Sequence, residues 1–415
     1  MKHSRLILCS LIALLFALTA CGGQTREGVT LQPVKVEQSS STTIMVTSTP
    51  EPKFSGLSGR LIYLKGTQFE SLDLASGQTF TFESSAALSQ LILNSNKTHG
   101  VFAGQSRFMV INLLDNTVFE TQNLGTNAGN MRVSPDGNWI GVTIGQISAR
   151  ILMISLPALE LHTVTGRSGG EYDWSWTTDS RMVWWDYAAE AEPMVYDPAS
   201  GESTPVGSEE VSLTVPFPLQ LSPDGQHIAS VRVAYGPQPG QDVNAESCFD
   251  SYVELFDSTY TTNSFNTRGE VMWTEDGLVA SSPQWLNKDQ LMFVKVGNGF
   301  CGTVDGEEVR QLMLLDITAS GARPRILVEH LGNGDDVQDR MQRYGKLYGH
   351  LYSPSPDGKY FAWINGSMDE GITEINITEI NTGETETIMH LEYGDARDAV
   401  DFIENYFIRQ VIWLE

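Results

Sequence analysis

The stretch GRSGG, Gly166–Gly170, satisfies the G-x-S-x-G pattern that lifts a nucleophilic serine onto a strained turn between a strand and a helix. The strand-like EYDWSW follows it, so no helix backs Ser168 and the pattern reads as a loop. GNGFCG, Gly297–Gly302, satisfies G-x-G-x-x-G after the strand-like LMFVKV. A dinucleotide's pyrophosphate needs the positive end of a following helix, whereas TVDGEEVRQLMLLD continues as a turn and another strand. The seven histidines, His3, His99, His162, His227, His330, His350 and His390, show no i, i+4 pair and no cysteine at zinc spacing. No Ser/His/Asp set assembles from spacing alone. The acidic GNGDDVQD, Gly332–Asp339, offers oxygen ligands without the alternating acids of a calcium loop, so it reads as a solvated loop with calcium as the one cation it could suit. No catalytic residue, resident metal or cofactor is expected from these patterns.

The elements that would position a site are better marked than the site. The chain has 415 residues, 41% hydrophobic and 19% charged, enough for a large core and too apolar for wholesale disorder. A formal charge of −25, from 26 basic and 51 acidic residues, repels phosphate backbones and excludes nucleic acid as a partner. Cations, basic peptides and neutral sugars stay open, and so does a purely solubilising role for the acid.

Residues 1–20 combine a basic MKHSR, an apolar run LILCSLIALLFAL too short to span a bilayer comfortably, and LTA before Cys21. LTAC resembles the lipobox of bacterial lipoproteins. That resemblance implies a signal peptide cut before Cys21, a lipidated Cys21 as membrane anchor, and an extracytoplasmic protein on the periplasmic or cell-surface side. Losing residues 1–20 removes Lys2 and Arg5 and no acid, making the mature chain more acidic. With Cys9 cleaved off and Cys21 lipidated, Cys248 and Cys301 remain as a pair in an oxidising compartment and are expected to form a disulfide. Residues 21–56, including SSSTTIMVTSTPEP, read as a Ser/Thr/Pro-rich tether.

From residue 57 to 415 the chain repeats. VSPDGNWIGV, LSPDGQHIAS and PSPDGKYFAW share one turn, with weaker copies at LILNSNKTHGVFAG, WSWTTDSRMVWW and PQWLNKDQLMFV. The anchors fall at 95, 134, 177, 222, 286 and 355, the first intervals near the spacing of a four-stranded propeller blade and the last two lengthened by insertions. Each unit reads as four short strands rich in Val, Ile, Phe, Trp and Thr, and no stretch keeps helical periodicity with caps. Pro135, Asp136 and Gly137, with Pro223, Asp224 and Gly225 and with Pro356, Asp357 and Gly358, suit a structural turn: Pro fixes φ, Asp bonds its own backbone, and Gly takes a positive φ. SPDGNW is not the S-x-D-x-G-x-x-W box of sialidases, because Asp136 and Gly137 are adjacent. The C-terminal QVIWLE matches a first strand, and SGRLIYLKGTQFESLDLASGQTFTF supplies a second to fourth, so a blade shared between the termini is expected. The expectation is an all-β propeller, seven-bladed with six or eight as alternatives.

The SPDG stretches followed by short apolar strands resemble the TolB-type, WD-like propeller repeat of bacterial envelope proteins. The resemblance covers roughly 57–415 and implies the fold without selecting a function. Two departures stand out: no separate N-terminal α/β domain like that of the Tol translocation protein, and no hydrolase domain after the propeller as in prolyl-oligopeptidase-type enzymes.

In such blades the turns joining strands one to two and three to four share one face, and all other connections share the opposite one. The insertions Ala234–Asp250, Gly297–Val309 and Glu329–His350 fall on the second face, in consecutive blades. They carry acids at Asp242, Glu246, Asp305, Glu307, Asp335, Asp336 and Asp339, bases at Arg340, Arg343 and Lys346, and aromatics at Tyr235, Phe249, Phe300, Tyr344 and Tyr348. Such a mixture suits a protein or cell-wall partner. The expectation is a lipid-anchored binding or scaffold module rather than an enzyme. A carbohydrate- or peptide-acting enzyme with carboxylates at the ring's axis is one alternative, although the readable first strands are mostly apolar. A cation-binding structural propeller is the other.

Overall fold

The structure, a computed structural model, describes residues 56–415 apart from 66, 84–90, 95–96, 104–107, 121–127, 145–149, 157, 159, 165–171, 187–192, 207–219, 235–249, 258–269, 276–277, 298–309, 319–322, 332–350, 368–371 and 393–407. Every element among the described residues is a strand. In the first sheet β1 (Arg60–Lys65), β2 (Gln68–Asp73) and β3 (Thr79–Glu83) follow one another. The second sheet is β4 (Leu91–Leu93), β5 (His99–Ala103), β6 (Phe108–Asn112) and β7 (Val118–Glu120), and the third is β8 (Ala128–Val133), β9 (Trp139–Ile144), β10 (Arg150–Ser155) and β11 (Leu161–Thr163). The fourth holds β12 (Tyr172–Trp176), β13 (Met182–Asp186), β14 (Met194–Asp197) and β15 (Glu202–Pro205), and the fifth β16 (Gln220–Leu221), β17 (His227–Ala234), β18 (Asp250–Asp257) and β19 (Glu270–Glu275). The sixth is β20 (Leu278–Asn287), β21 (Gln290–Gly297), β22 (Arg310–Asp316) and β23 (Arg325–Val328), and the seventh β24 (Tyr352–Pro354), β25 (Tyr360–Ser367), β26 (Ile372–Glu379) and β27 (Thr385–Glu392). The last strand, β28 (Ile408–Leu414), returns to pair with β1, Arg60 opposite Leu414 and Tyr63 opposite Val411, so the first sheet runs β28-β1-β2-β3. Seven four-stranded antiparallel sheets make an all-β, propeller-like fold, and the expected union of terminal strands is the first of them.

Runs such as LIYL in β1 and ILMI in β10 are buried at successive positions, because the first and third sheets have packed neighbours on both faces. The core therefore lies between sheets. Ile62, Leu64 and Phe69 of the first sheet pack with Leu91, Phe102 and Ile111 of the second. Val101 and Val110 pack with Val133, Ile140 and Val142 of the third. Trp174 and Trp176 of the fourth pack on Ile151 and Met153. Val253 and Leu255 of the fifth meet Leu291, Phe293 and Leu315 of the sixth. A further cluster joins Met292 and Leu312 with Phe361 and Ile375 of the seventh and with Leu61 and Trp413 of the first.

The SPDG turns fold alike. Ser134 N donates to Trp139 O at 2.8 Å and Gly137 N to Ser134 O at 3.0 Å, with Gly137 at φ +75°. The same pair of bonds closes Ser222–His227 and Ser355–Tyr360, with Gly225 at +69° and Gly358 at +67°. In the second sheet the matching residue is Asn94, bonded to His99 O at 3.0 Å, so the anchor expected at 95 belongs one residue earlier. The anchor at 286 is also displaced: β20 continues through Leu286 to Asn287, and the turn is the two residues Lys288–Asp289, with Asp289 N donating to Asn287 Oδ1 at 2.9 Å. Among the described residues no helix is long and apolar enough to cross a membrane.

Candidate functional site

Each sheet has two unlike ends. At one, here the turn end, strands one and two and strands three and four connect; at the other, the far end, strand two passes to strand three and each sheet passes to the next. Chemistry at the turn end is local and repeated. The Ser134 hydroxyl donates to Asp136 Oδ1 at 2.5 Å and accepts from Trp139 N at 3.0 Å, and the carboxylate also accepts from Asn138 N at 3.1 Å. Ser222 with Asp224 and Ser355 with Asp357 repeat this at 2.7 Å each, and Thr177 with Asp179 does so in the fourth sheet. Partial burial pushes the Asp136 carboxyl up, but the bonds from Ser134 and Asn138 outweigh it and hold it below the usual carboxylate range. The Ser222 hydroxyl, then the Gln226 amide, lower Asp224 likewise. These acids are engaged by their own loops.

The turns also touch the neighbouring sheets. Asp136 N donates to Ser180 Oγ of the fourth sheet at 3.1 Å, and Asn94 Nδ2 donates to Ser134 O at 3.4 Å. A Cβ on Gly137 would come within 2.6 Å of His99 Nδ1, and one on Gly358 within 2.8 Å of Leu286 O. His99 is thereby wedged against the third sheet. Its burial lowers its pKa, opposed by the charges of Asp115 and Asp136.

Several polar side chains on first strands bind neighbouring backbone. Gln410 of β28 uses both ends of its amide on one residue of β4, accepting from Leu91 N at 2.7 Å and donating to Leu91 O at 2.9 Å. Gln284 Nε2 donates to Tyr352 O at 2.7 Å, and the Tyr352 hydroxyl donates to Met292 O at 2.9 Å. Ser353 Oγ accepts from Trp413 N at 2.9 Å. These groups stitch sheet to sheet.

The far end is where the molecule varies. Residues 66–67 join β1 to β2, and 145–149 join β9 to β10. In the fifth sheet β17 and β18 run eight residues each, paired out to Ala234 and Asp250, before 235–249 intervene. β21 and β22 run eight and seven residues before 298–309. The third insertion leaves β23 for β24. The connection 393–407, from β27 to β28, leaves the same end and was not singled out as an insertion; the signal was the gap between TETIMHL and QVIWLE.

Polar groups at this end include clusters in the first and seventh sheets. In the first sheet the Tyr63 hydroxyl donates to Glu70 Oε2 at 2.5 Å, and Lys65 Nζ lies 3.9 Å from Glu70 Oε1. Burial, then the Glu70 charge, push the Tyr63 hydroxyl well above its ordinary pKa. In the seventh sheet Asn365, Glu374 and His390 sit opposite one another across β25, β26 and β27. His390 Nδ1 lies 2.7 Å from Glu374 Oε1, and Asn365 Nδ2 donates to Glu374 Oε2 at 3.3 Å. A carboxylate that orients a half-exposed imidazole suits a polar contact with a docked molecule. Among the described residues no three His, Cys, Asp or Glu side chains gather as metal ligands would.

The residues expected to form the binding face, Tyr235, Asp242, Glu246, Phe249, Phe300, Asp305, Glu307, Asp335, Asp336, Asp339, Arg340, Arg343, Tyr344 and Tyr348, lie outside the described residues. So do Cys21, the Cys248–Cys301 pair and Ser168.

Among solved structures the chain is similar to TolB from Acinetobacter baumannii. The identity is 14% over 86% of this chain and 66% of TolB, with a TM-score of 0.36, so the chain spans just under two thirds of that protein. A 6-phosphogluconolactonase-like protein from Bacteroides fragilis is 9% identical over 88% of this chain and all of its own, with a TM-score of 0.46. An oligogalacturonate lyase solved with manganese is 13% identical over 79% and 85%, with a TM-score of 0.39. No family model matches the chain, and no curated protein matches it. Function therefore has to be argued from this chain's own residues.

Proposed function

We propose that the protein is a lipid-anchored, extracytoplasmic propeller that binds a partner protein at its far end and performs no chemistry of its own. Cys21 is the lipidated residue, 21–56 the tether, and the seven sheets are blades of a ring closed by β28-β1-β2-β3. The observation that carries the reading is the contrast between the two ends. The turn end is uniform and its acids are engaged by their own loops, while long connections leave the far ends of adjacent sheets on lengthened strands. Long connections of mixed aromatic and charged composition are the usual substance of recognition surfaces. A Cys248–Cys301 disulfide would tie the first two insertions together and lower the entropy cost of docking. Carboxylates converging on first strands would favour an enzyme, but Gln284, Gln410 and Ser353 there are bound to neighbouring sheets.

The test removes 298–309 and 332–345, alone and together, replacing each with a short Gly/Ser turn, and follows capture of native partners by quantitative pull-down. Loss of specific partners with an unchanged melting temperature is expected. Full retention by the double deletion sinks the proposal. The Cys21→Ser variant should leave the membrane fraction, and thiol titration of the unfolded, unreduced mature chain should find no free thiol at Cys248 or Cys301.

A further inference from the structure

We infer that the N-terminal segment joins the fold at the turn end, so an anchor placed close to that junction holds the turn end to its surface and leaves the far end, with its protein partner, on the side opposite. This rests on the anchored, partner-binding reading above. Its geometric basis lies where the tether meets β1. The Ser58 carbonyl accepts from Trp413 Nε1 at 3.0 Å, and the Gly59 carbonyl accepts from Leu74 N at 3.0 Å. Gly59 has a φ of +90°, and a Cβ there would collide with the Leu414 carbonyl oxygen. The incoming chain is thus clamped by the last residues of β28, whose Leu414 pairs with Arg60 at the turn end of the first sheet.

Contacts show that this end is shared in space by neighbouring sheets. Trp413 N bonds Ser353 Oγ, and the Trp413 ring stacks on Tyr360 at 6.5 Å. Ser353 and Tyr360 flank the Ser355–Gly358 turn of the seventh sheet, and Gly358 lies against Leu286, just before the Lys288–Asp289 turn of the sixth. The tether therefore leaves among the turns. Ala234, Gly297 and Val328, after which the insertions begin, are at the opposite ends of their strands. An eight-residue strand at about 3.3 Å per residue puts the two ends roughly 25 Å apart. Held on a linker of about ten residues, which spans about 17 Å on average, the turn end would stay close to the surface.

The test supplies its own anchor and needs no partner. A polyhistidine segment replaces residues 1–46, so that 47–56 remain as tether, and the protein is held on vesicles containing nickel-chelating lipid and an acceptor dye. A donor fluorophore is placed through an engineered amino acid at Lys359 or at Glu392, exposed residues near the turn end and the far end of the seventh sheet. Energy transfer about twofold or more stronger from 359 than from 392 is expected for ends separated by roughly 25 Å. Equal transfer, or stronger transfer from 392, overturns the inference. Failure of native lipidation or of partner capture would overturn the reading above and leave this orientation standing, so the two failures are distinguishable.

Discussion

At the turn end Ser134, Ser222 and Ser355 close one loop over one set of hydrogen bonds, while at the far end the connections range from 66–67 to 329–351. The turns between strands three and four add to the uniformity: Gly77 N, Gly201 N and Gly383 N each donate at 2.8 Å to the carbonyl four residues back. The connections 258–269, between β18 and β19, and 317–324, between β22 and β23, are the longer ones at this end. The difference teaches which end carries stability. Turn-end loops bond to adjacent sheets, so an insertion there disturbs two sheets at once, whereas a far-end insertion follows a completed hairpin and disturbs neither.

Substitutions can break this comparison, and the largest effect belongs to the clamp. Gly59→Ala forces a side chain into positive φ and onto Leu414, and should cost about 3 kcal/mol or more, read as a large fall in denaturant midpoint. Gln410→Leu leaves the buried Leu91 amide and carbonyl without the amide they bind and should cost about 2–4 kcal/mol. Asp136→Ala should cost about 1 kcal/mol, since it removes the acceptor of Ser134 and Asn138 while the turn retains its backbone bonds. None of the three should change partner capture at temperatures where the variant is folded, and a selective loss of capture by Asp136→Ala would contradict the division between ends.

Acid titration gives the smallest and most graded signal. His99 has a lowered folded pKa, so the unfolded chain takes up the proton first and stability declines as pH falls below about 6.5. Asp136, Asp179 and Asp357 also have lowered folded values, so their contribution is full above about pH 4 and is lost as pH falls through the folded values. Melting temperature should therefore fall in two steps, and His99→Gln should remove the upper one alone. A single step in both proteins would place the titrating groups elsewhere.

Much of the fold could be read from residues because its turns are chemically demanding. Gly137, Gly225 and Gly358 sit at positive φ where SPDG required it, and QVIWLE fell beside RLIYLK as the strand arithmetic implied. Where the turn was not SPDG the reading slipped. Lys97 adopts positive φ with no sequence mark for it, in the turn whose anchor is Asn94 rather than 95. Lys288–Asp289 closes a two-residue hairpin that the longer template could not match. Inter-sheet bonds such as Gln410 to Leu91 were hidden for another reason: they join residues 319 positions apart, and an amide on an inner strand announces no partner. The residues expected to form a binding face were legible only as composition and position, because the insertions follow no repeating pattern.

The clamp at Ser58 and Gly59 also has a mechanical meaning. A pull on the tether acts along the axis of β1, which is hydrogen-bonded on both flanks, to β28 and to β2. The ladder bonds lie across that axis and are loaded together, in shear, instead of one after another as at a peeled edge. Force drawn through the N-terminal segment therefore meets a sheet at its strongest orientation, and the terminal strand that completes the first sheet also takes up the load.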